Sequence, residues 1–186
     1  MDITDYLKQN KMNNDLGRLF IATKMREEIK EKCNMTASCG IACNRMLAKI
    51  CSDINKPDGQ TFLEFNDKSV SAFMNKLPIR KIPGVGKVNE QILSGMGIKN
   101  CPDVQNHAMD ISINFTNNAF DFLIRSSMGI AKNVHDELGI KKSINCSETV
   151  PLITKKEEFI DQISKLCKEL EERARIQKLM GRTITV

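Results

Sequence analysis

Apolar residues recur along this chain in two rhythms, and the changes of rhythm mark its segments. From Leu16 to Cys33, the residues Leu19, Ala22, Ile29 and Cys33 fall on one helical stripe. Arg26, Glu27, Glu28, Lys30 and Glu31 lie mostly outside that stripe. The next stretch, Met35-Thr36-Ala37-Ser38-Cys39-Gly40-Ile41, alternates apolar and small polar residues with the period of a half-buried strand. Asn44 can cap a following helix, predicted to run through Leu47, Ala48 and Ile50 to about Ser52. Lys56-Pro57-Asp58-Gly59 predicts a turn in which proline presets φ and Gly59 takes the left-handed exit. A short strand over Thr61–Phe65 follows, so residues 1–65 read as an α+β piece.

From Asp67 to about Asn133 the rhythm is helical throughout, broken by glycines at 84, 86, 95, 97 and 129. Several short helices are expected there. The stretch around 134–142 is polar and aperiodic and reads as a linker. Ile144–Val150 is strand-like, and Lys155–Lys178 predicts an amphipathic helix with Ile160, Ile163, Cys167, Leu170 and Ala174 on its apolar stripe. Arg182-Thr183-Ile184-Thr185-Val186 predicts a second strand. A strand–helix–strand piece of this size buries little core, and we expect the polypeptide to be cut within a domain. The predicted organisation is 1–65, 66–133, the linker 134–142, and 143–186.

Composition narrows the classes. With 186 residues, 41% hydrophobic and 27% charged, the chain suits one or two ordinary globular domains. No apolar run approaches the ~20 residues of a membrane span, so no membrane partner is expected. Seven cysteines are scattered without a Cys-x-x-Cys, and no histidine lies near Cys39 and Cys43. Reduced intracellular thiols fit this pattern better than zinc does. A net charge of +5 permits an anionic partner without requiring one. Aromatics are 5% of residues and none alternates with Lys or Arg, which argues against a stacking platform for single strands.

The sharpest local signal is Leu77-Pro78-Ile79-Arg80-Lys81-Ile82-Pro83-Gly84-Val85-Gly86-Lys87, closed by Gly95-Met96-Gly97-Ile98. It predicts helix, glycine hairpin, helix. Two residues without a Cβ let another molecule approach the main chain, and the next helix points its unpaired N–H groups into the same concavity. Gly84, Val85 and Gly86 are therefore expected to offer main-chain N–H groups to a phosphate, with Gly86 at positive φ and Lys87 adding a charge. The pattern resembles the helix-hairpin-helix modules that grip DNA phosphates without reading bases.

Three pieces in this order resemble a Y-family translesion DNA polymerase of the kappa/DinB-like branch. Met35–Ala42 resembles the family's palm strand. Asn44-Arg45-Met46-Leu47-Ala48-Lys49-Ile50-Cys51-Ser52-Asp53 with Lys56-Pro57-Asp58-Gly59 resembles its most characteristic internal stretch. The Pro-Gly-Val-Gly hairpin stands where the thumb carries one, and Lys142-Ser143-Ile144 resembles the entry to the little finger. The resemblance implies an α+β fold: a partial palm (1–65), a small all-helical thumb with the helix-hairpin-helix (66–133), the linker, and a truncated little finger (143–186).

It also implies roles. Lys56 would point toward the phosphates of the incoming nucleotide, as a movable point charge. Lys141, Lys142 and Ser143 would enter the DNA-facing side of the little finger, with Arg182 and Thr183 contacting the template backbone. The family's metal-binding carboxylates belong to a Ser-x-Asp-Glu-Ala-Tyr-type motif and an earlier palm strand, both expected ahead of Met1 together with the fingers. Asp2, Asp5 and Asp15 are expected to be caps or solvated charges rather than substitutes. No catalytic or metal-binding residue is thus expected in this chain. Mg²⁺ is implied for the full-length protein only, and the isolated chain is expected to be inactive yet phosphate-binding. The implied partners are primer–template duplex DNA, an incoming dNTP, and a sliding clamp reached through missing regions. The implied location is intracellular, nuclear if the source is eukaryotic. Alternatives are a non-catalytic helix-hairpin-helix scaffold and a helix-hairpin-helix glycosylase, though no Val-Asp-Thr-His-like run follows Gly86.

Overall fold

A three-residue parallel ladder organises the amino-terminal part of the chain. In the computed structural model, which describes residues 1–131 and 143–185, strand β1 (Cys39–Ile41) pairs with β2 (Gln60–Phe62). Cys39 stands opposite Gln60, and Ile41 opposite Phe62. Parallel strands need a crossover, and helix α3 (Arg45–Cys51) supplies it. Gly40 makes the close packing possible, since a Cβ there would stand 2.0 Å from the Ala48 carbonyl oxygen. The helices α1 (Thr4–Gln9) and α2 (Asp15–Cys33) precede the ladder.

Helix α2 departs from its predicted stripe. Gly17, Ile21 and Ala22 are buried, whereas Ile29 and Cys33 are exposed. The ladder is short, and α2 meets it only along its middle, where Thr23 and the Leu19 carbonyl engage Gln60. Both strands are also shorter than predicted, because pairing ends where the partner's ladder ends.

The following segment is all-helical, as expected. It comprises α4 (Asp67–Met74), a 3₁₀ turn (Ile79–Lys81), α5 (Lys87–Gly95), α6 (Cys101–Asn106), α7 (Ala108–Asn114) and α8 (Asn117–Ser127). Asn14, Asn44 and Asn66 each accept a first-turn N–H, at 2.7, 2.9 and 2.8 Å. Such caps satisfy donors that a helix start leaves over. Leu47, Met74, Ile79, Ile82, Val85, Leu93, Ile98, Val104, Ile111 and Leu123 form one continuous buried core. It runs from α3 to α8, and the chain is one unit over Met1–Val134. Burial pushes the Cys101 thiol up to about 12 and Cys51 to about 11, so both stay protonated at neutral pH.

The second unit, His135–Val186, carries helix α9 (Lys156–Gln177). Its half-buried face is Ile163, Leu166, Leu170 and Ala174, while the predicted stripe members Ile160 and Cys167 are exposed. The segment before the helix lies along it: Cys146 donates to the Leu166 carbonyl, and Arg173 donates to that of Asn145 at 2.9 Å. The predicted strands over 144–150 and 182–186 do not form among the described residues. Alternation specifies a face, but a strand also needs a partner edge, and no ladder is available here. A helix satisfies its own main chain. No described residue of this unit is fully buried.

Candidate phosphate-binding site

The hairpin is built by proline on one side and a clasp on the other. Pro78 and Pro83 bracket only four residues, too few for an α-helix, so the expected first helix contracts to the 3₁₀ turn. An isolated antiparallel bridge then ties Pro78 to Asn100: Ile79 donates to the Lys99 carbonyl at 2.9 Å, and Cys101 to that of Leu77 at 3.0 Å. The whole motif is thereby closed at its base. Asp103 accepts from the N–H groups of Asn100 and Lys99, and these bonds hold its carboxyl below the usual range.

At the tip, the two glycines exchange their predicted parts. Gly84 has φ +106°, whereas Gly86 has φ −81° and ψ 174° and serves as the N-cap of α5. The left-handed residue comes directly after Pro83, and Gly86 must be extended to enter the helix. An added Cβ at Gly84 would meet Phe122 at 2.8 Å, while one at Gly86 would meet nothing within 4 Å. The open approach is therefore at Gly86.

Val85 differs from expectation as well. It is buried, its N–H donates to the Ile82 carbonyl at 3.0 Å, and its carbonyl accepts from Arg80 Nη1. The last residue of this four-residue turn is committed to the core. Among the described residues, the N–H groups of Gly84, Gly86 and Lys87 make no main-chain bond. Lys87 is exposed and has no ion-pair partner among the described residues. Arg80, by contrast, is braced by Glu90 at 3.2 Å.

Lys56 lies on the neighbouring turn. The Lys56–Pro57 peptide bond is cis, and the left-handed residue is Asp58 at φ +50° rather than Gly59. Glycine is needed at 59 for space instead, since a Cβ would stand 1.9 Å from the Asn55 carbonyl oxygen. Arg26 holds this turn from α2. It donates to the Asp58 carboxylate at 2.7 Å, to the Asp58 carbonyl at 2.6 Å and to the Ala37 carbonyl at 2.8 Å. Arg26 lies outside the apolar stripe of its helix, and a contact across 32 positions leaves no local signal in the sequence. Lys56 Nζ itself stands 3.2 Å from Asp53 Oδ1.

The turn and the hairpin face one cleft of about 230 Å³, lined among others by Lys49, Asp53, Lys56, Arg80, Lys81 and Gly84. Two groups the sequence assigned separately thus share a surface. Lys141 and Lys142 lie outside the described residues. Ser143, Arg182 and Thr183 are exposed and belong to the second unit.

The described residues do not fit a magnesium centre. Among the described residues, no three His, Cys, Asp or Glu side chains converge. Asp2 accepts from the Thr4 N–H, Asp15 pairs with Arg18, and Asp53 is occupied by two lysines. No step of chemistry is assigned to a metal on these residues. No helix among the described residues is long and apolar enough to cross a membrane.

The chain matches three parts of one family: the impB/mucB/samB family over residues 1–53, that family's HHH motif over 67–98, and its C-terminal domain over 141–186. It is 36% identical over 166 residues to DNA polymerase kappa of Homo sapiens, covering 89% of this chain and 19% of that protein. It is 38% identical over 154 residues to DNA polymerase IV of Photorhabdus laumondii subsp. laumondii, covering 82% of this chain and 43% of that one. Among solved structures, it is similar to a DinB-family error-prone DNA polymerase from Sulfolobus solfataricus, with TM-score 0.58 and 30% identity over 66% of this chain and 36% of that one. An insertion ternary complex of Dbh DNA polymerase gives TM-score 0.60 and 28% identity, over 69% and 36%. The chain therefore spans less than half the length of these relatives. With the three family segments in order and the hairpin in place, the chain belongs to the Y-family DNA polymerases, in the kappa/DinB-like branch.

Proposed function

We propose that the chain is the phosphate-handling portion of a translesion DNA polymerase, which as a whole transfers a nucleotide from a dNTP to a primer 3′-OH. The carrying observation is the hairpin tip. The N–H groups of Gly84, Gly86 and Lys87, without a main-chain partner among the described residues, and the Lys87 charge beside them suit one backbone phosphate of the primer-side duplex. Main-chain donors and a single charge grip every sequence alike, as a template-copying enzyme requires.

Lys56 serves the other substrate. Its charge helps orient the triphosphate, a positioning effect that lowers the barrier by reducing the freedom of the reacting groups. Arg26 and Asp58 hold its turn in place. Family membership supports metal dependence for the whole protein, with Mg²⁺ the proposed ion and its ligands other than the described residues. Lys141, Lys142, Ser143, Arg182 and Thr183 are proposed as further backbone contacts, a sliding clamp as a partner of the whole protein, and the nucleus as its location in a eukaryotic source. The palm, thumb, linker and little-finger boundaries set out from the sequence are part of the same proposal.

Single-nucleotide insertion kinetics test this. The 186-residue chain should not extend a primer, and a longer protein that includes the family's carboxylate motifs should do so. In that protein, Lys56→Ala should raise the KM for nucleotide and slow turnover. Extension by the 186-residue chain alone would show that the reactive site has been misplaced. An inert longer protein that still binds DNA would favour the scaffold alternative.

A further inference from the structure

Asp53 lies between the Lys56 turn and the 3₁₀ turn that leads into the hairpin. Its Oδ1 is 3.2 Å from Lys56 Nζ, and its Oδ2 is 2.7 Å from Lys81 Nζ. Lys81 ends the 3₁₀ turn that leads into the hairpin, 28 positions away. The two ammonium groups thus stand on opposite oxygens of one carboxylate, at the mouth of the cleft. Lys49 also lines it, and Arg80 does so with its charge answered by Glu90. The cleft lining thus carries three lysines and one carboxylate, an excess of positive charge around a concave surface.

The hold on the lysines is weak by its setting. The side chains of Asp53, Lys56 and Lys81 are 44, 58 and 53% exposed, and exposed ion pairs contribute little. A phosphate carries more charge than a carboxylate and can accept from both lysines at once. Lysine suits such an exchange, as a point charge on a flexible stem.

We propose that this cleft is a phosphate-binding site formed by Lys56 and Lys81 together, with Asp53 as a resident counter-ion that an incoming phosphate displaces. This rests on the reading of the chain as a phosphate-handling polymerase segment and adds Lys81, Asp53 and the displacement to it. The phosphate comes from the polyphosphate of a free nucleotide or from a DNA backbone, and the two sources are separable by experiment. Lys81 brings the hairpin's own element to the lysine of the neighbouring turn, so one bound phosphate would tie the two together.

The sign of one substitution decides the matter. Titrate the 186-residue chain at low salt in EDTA with dATP in one arm and a primer–template duplex in the other. Asp53→Asn removes a negative charge a few ångströms from the ligand and should tighten binding about three- to tenfold in the arm that reports the true source. Lys81→Ala should weaken that same arm by a similar factor. A carboxylate that merely held the fold together would give the opposite sign, weaker binding with a lower melting temperature. Asp53→Asn that weakens binding or leaves both arms unchanged overturns the inference. If that variant does not fold, Lys81→Gln decides, and unchanged affinity in both arms overturns it. Lys87→Ala separates this inference from the hairpin reading. Loss of duplex affinity in Lys87→Ala with both cleft variants silent sinks the cleft alone. Cleft effects with Lys87→Ala silent sink the hairpin contact and support the cleft.

Discussion

At the tip of the hairpin, positive φ falls on Gly84 and the open approach on Gly86, so the two positions predict opposite phenotypes. Gly84→Ala places a Cβ 2.8 Å from Phe122 in a backbone conformation that L residues avoid, and should cost about 1–3 kcal/mol of stability. Gly86→Ala meets nothing and keeps an ordinary φ, so only the poorer N-cap counts and its melting should change by about 0.5–1 kcal/mol. Its methyl would nevertheless stand where a phosphate approaches, and duplex affinity should fall. Thermal melting and DNA titration of both variants provide the check. Equal destabilisation, or unchanged affinity in Gly86→Ala, contradicts the assignment. The sequence announced that this turn needs glycine without telling which one bends the chain, because Pro-Gly-Val-Gly allows either. The burial of Val85 is hidden from the sequence for a related reason. An apolar residue between two glycines shows no periodicity, and only the packing with Ile82 reveals it as core.

Elements with local signals were legible, and those that depend on distant partners were not. The helix after Asn44 was legible, because a cap acts within three residues. Strand limits, the buried face of α2 and the role of Arg26 all depend on what lies across the fold. Asn44 itself does more than cap. Its amide donates to the Gly129 carbonyl at 2.7 Å, linking the start of α3 to the residues just after α8. Asn44→Ala should therefore lose the cap, worth about 1 kcal/mol, and leave that carbonyl without its partner, for a total of about 2–3 kcal/mol. Asn44→Asp keeps the cap oxygen and loses the amide donor, so it should recover about half. Denaturant unfolding of both separates the contributions, and equal losses would show that the cap counts for little.

Within the first unit, a parallel β–α–β piece joins a helical segment through one core, so that Lys56 and the hairpin face a common cleft. The order of the pieces was readable from motifs, whereas the meeting of Asp53 with Lys81 was not, since nothing local links positions 28 apart. The second unit follows the same logic. Its long helix was readable because a helix is locally satisfied, and its predicted strands find no partner edge among the described residues. The central claim is that the hairpin holds DNA through phosphate, and the salt dependence of binding tests it most directly. A labelled primer–template titrated with the 186-residue chain over several salt concentrations should give log K falling linearly with log salt. The slope should be about −0.9 per phosphate contacted, the same for unrelated sequences, and shallower by about one contact in Lys87→Ala. A flat salt response, a strong preference for one sequence, or a Lys87→Ala slope equal to wild type would contradict the account.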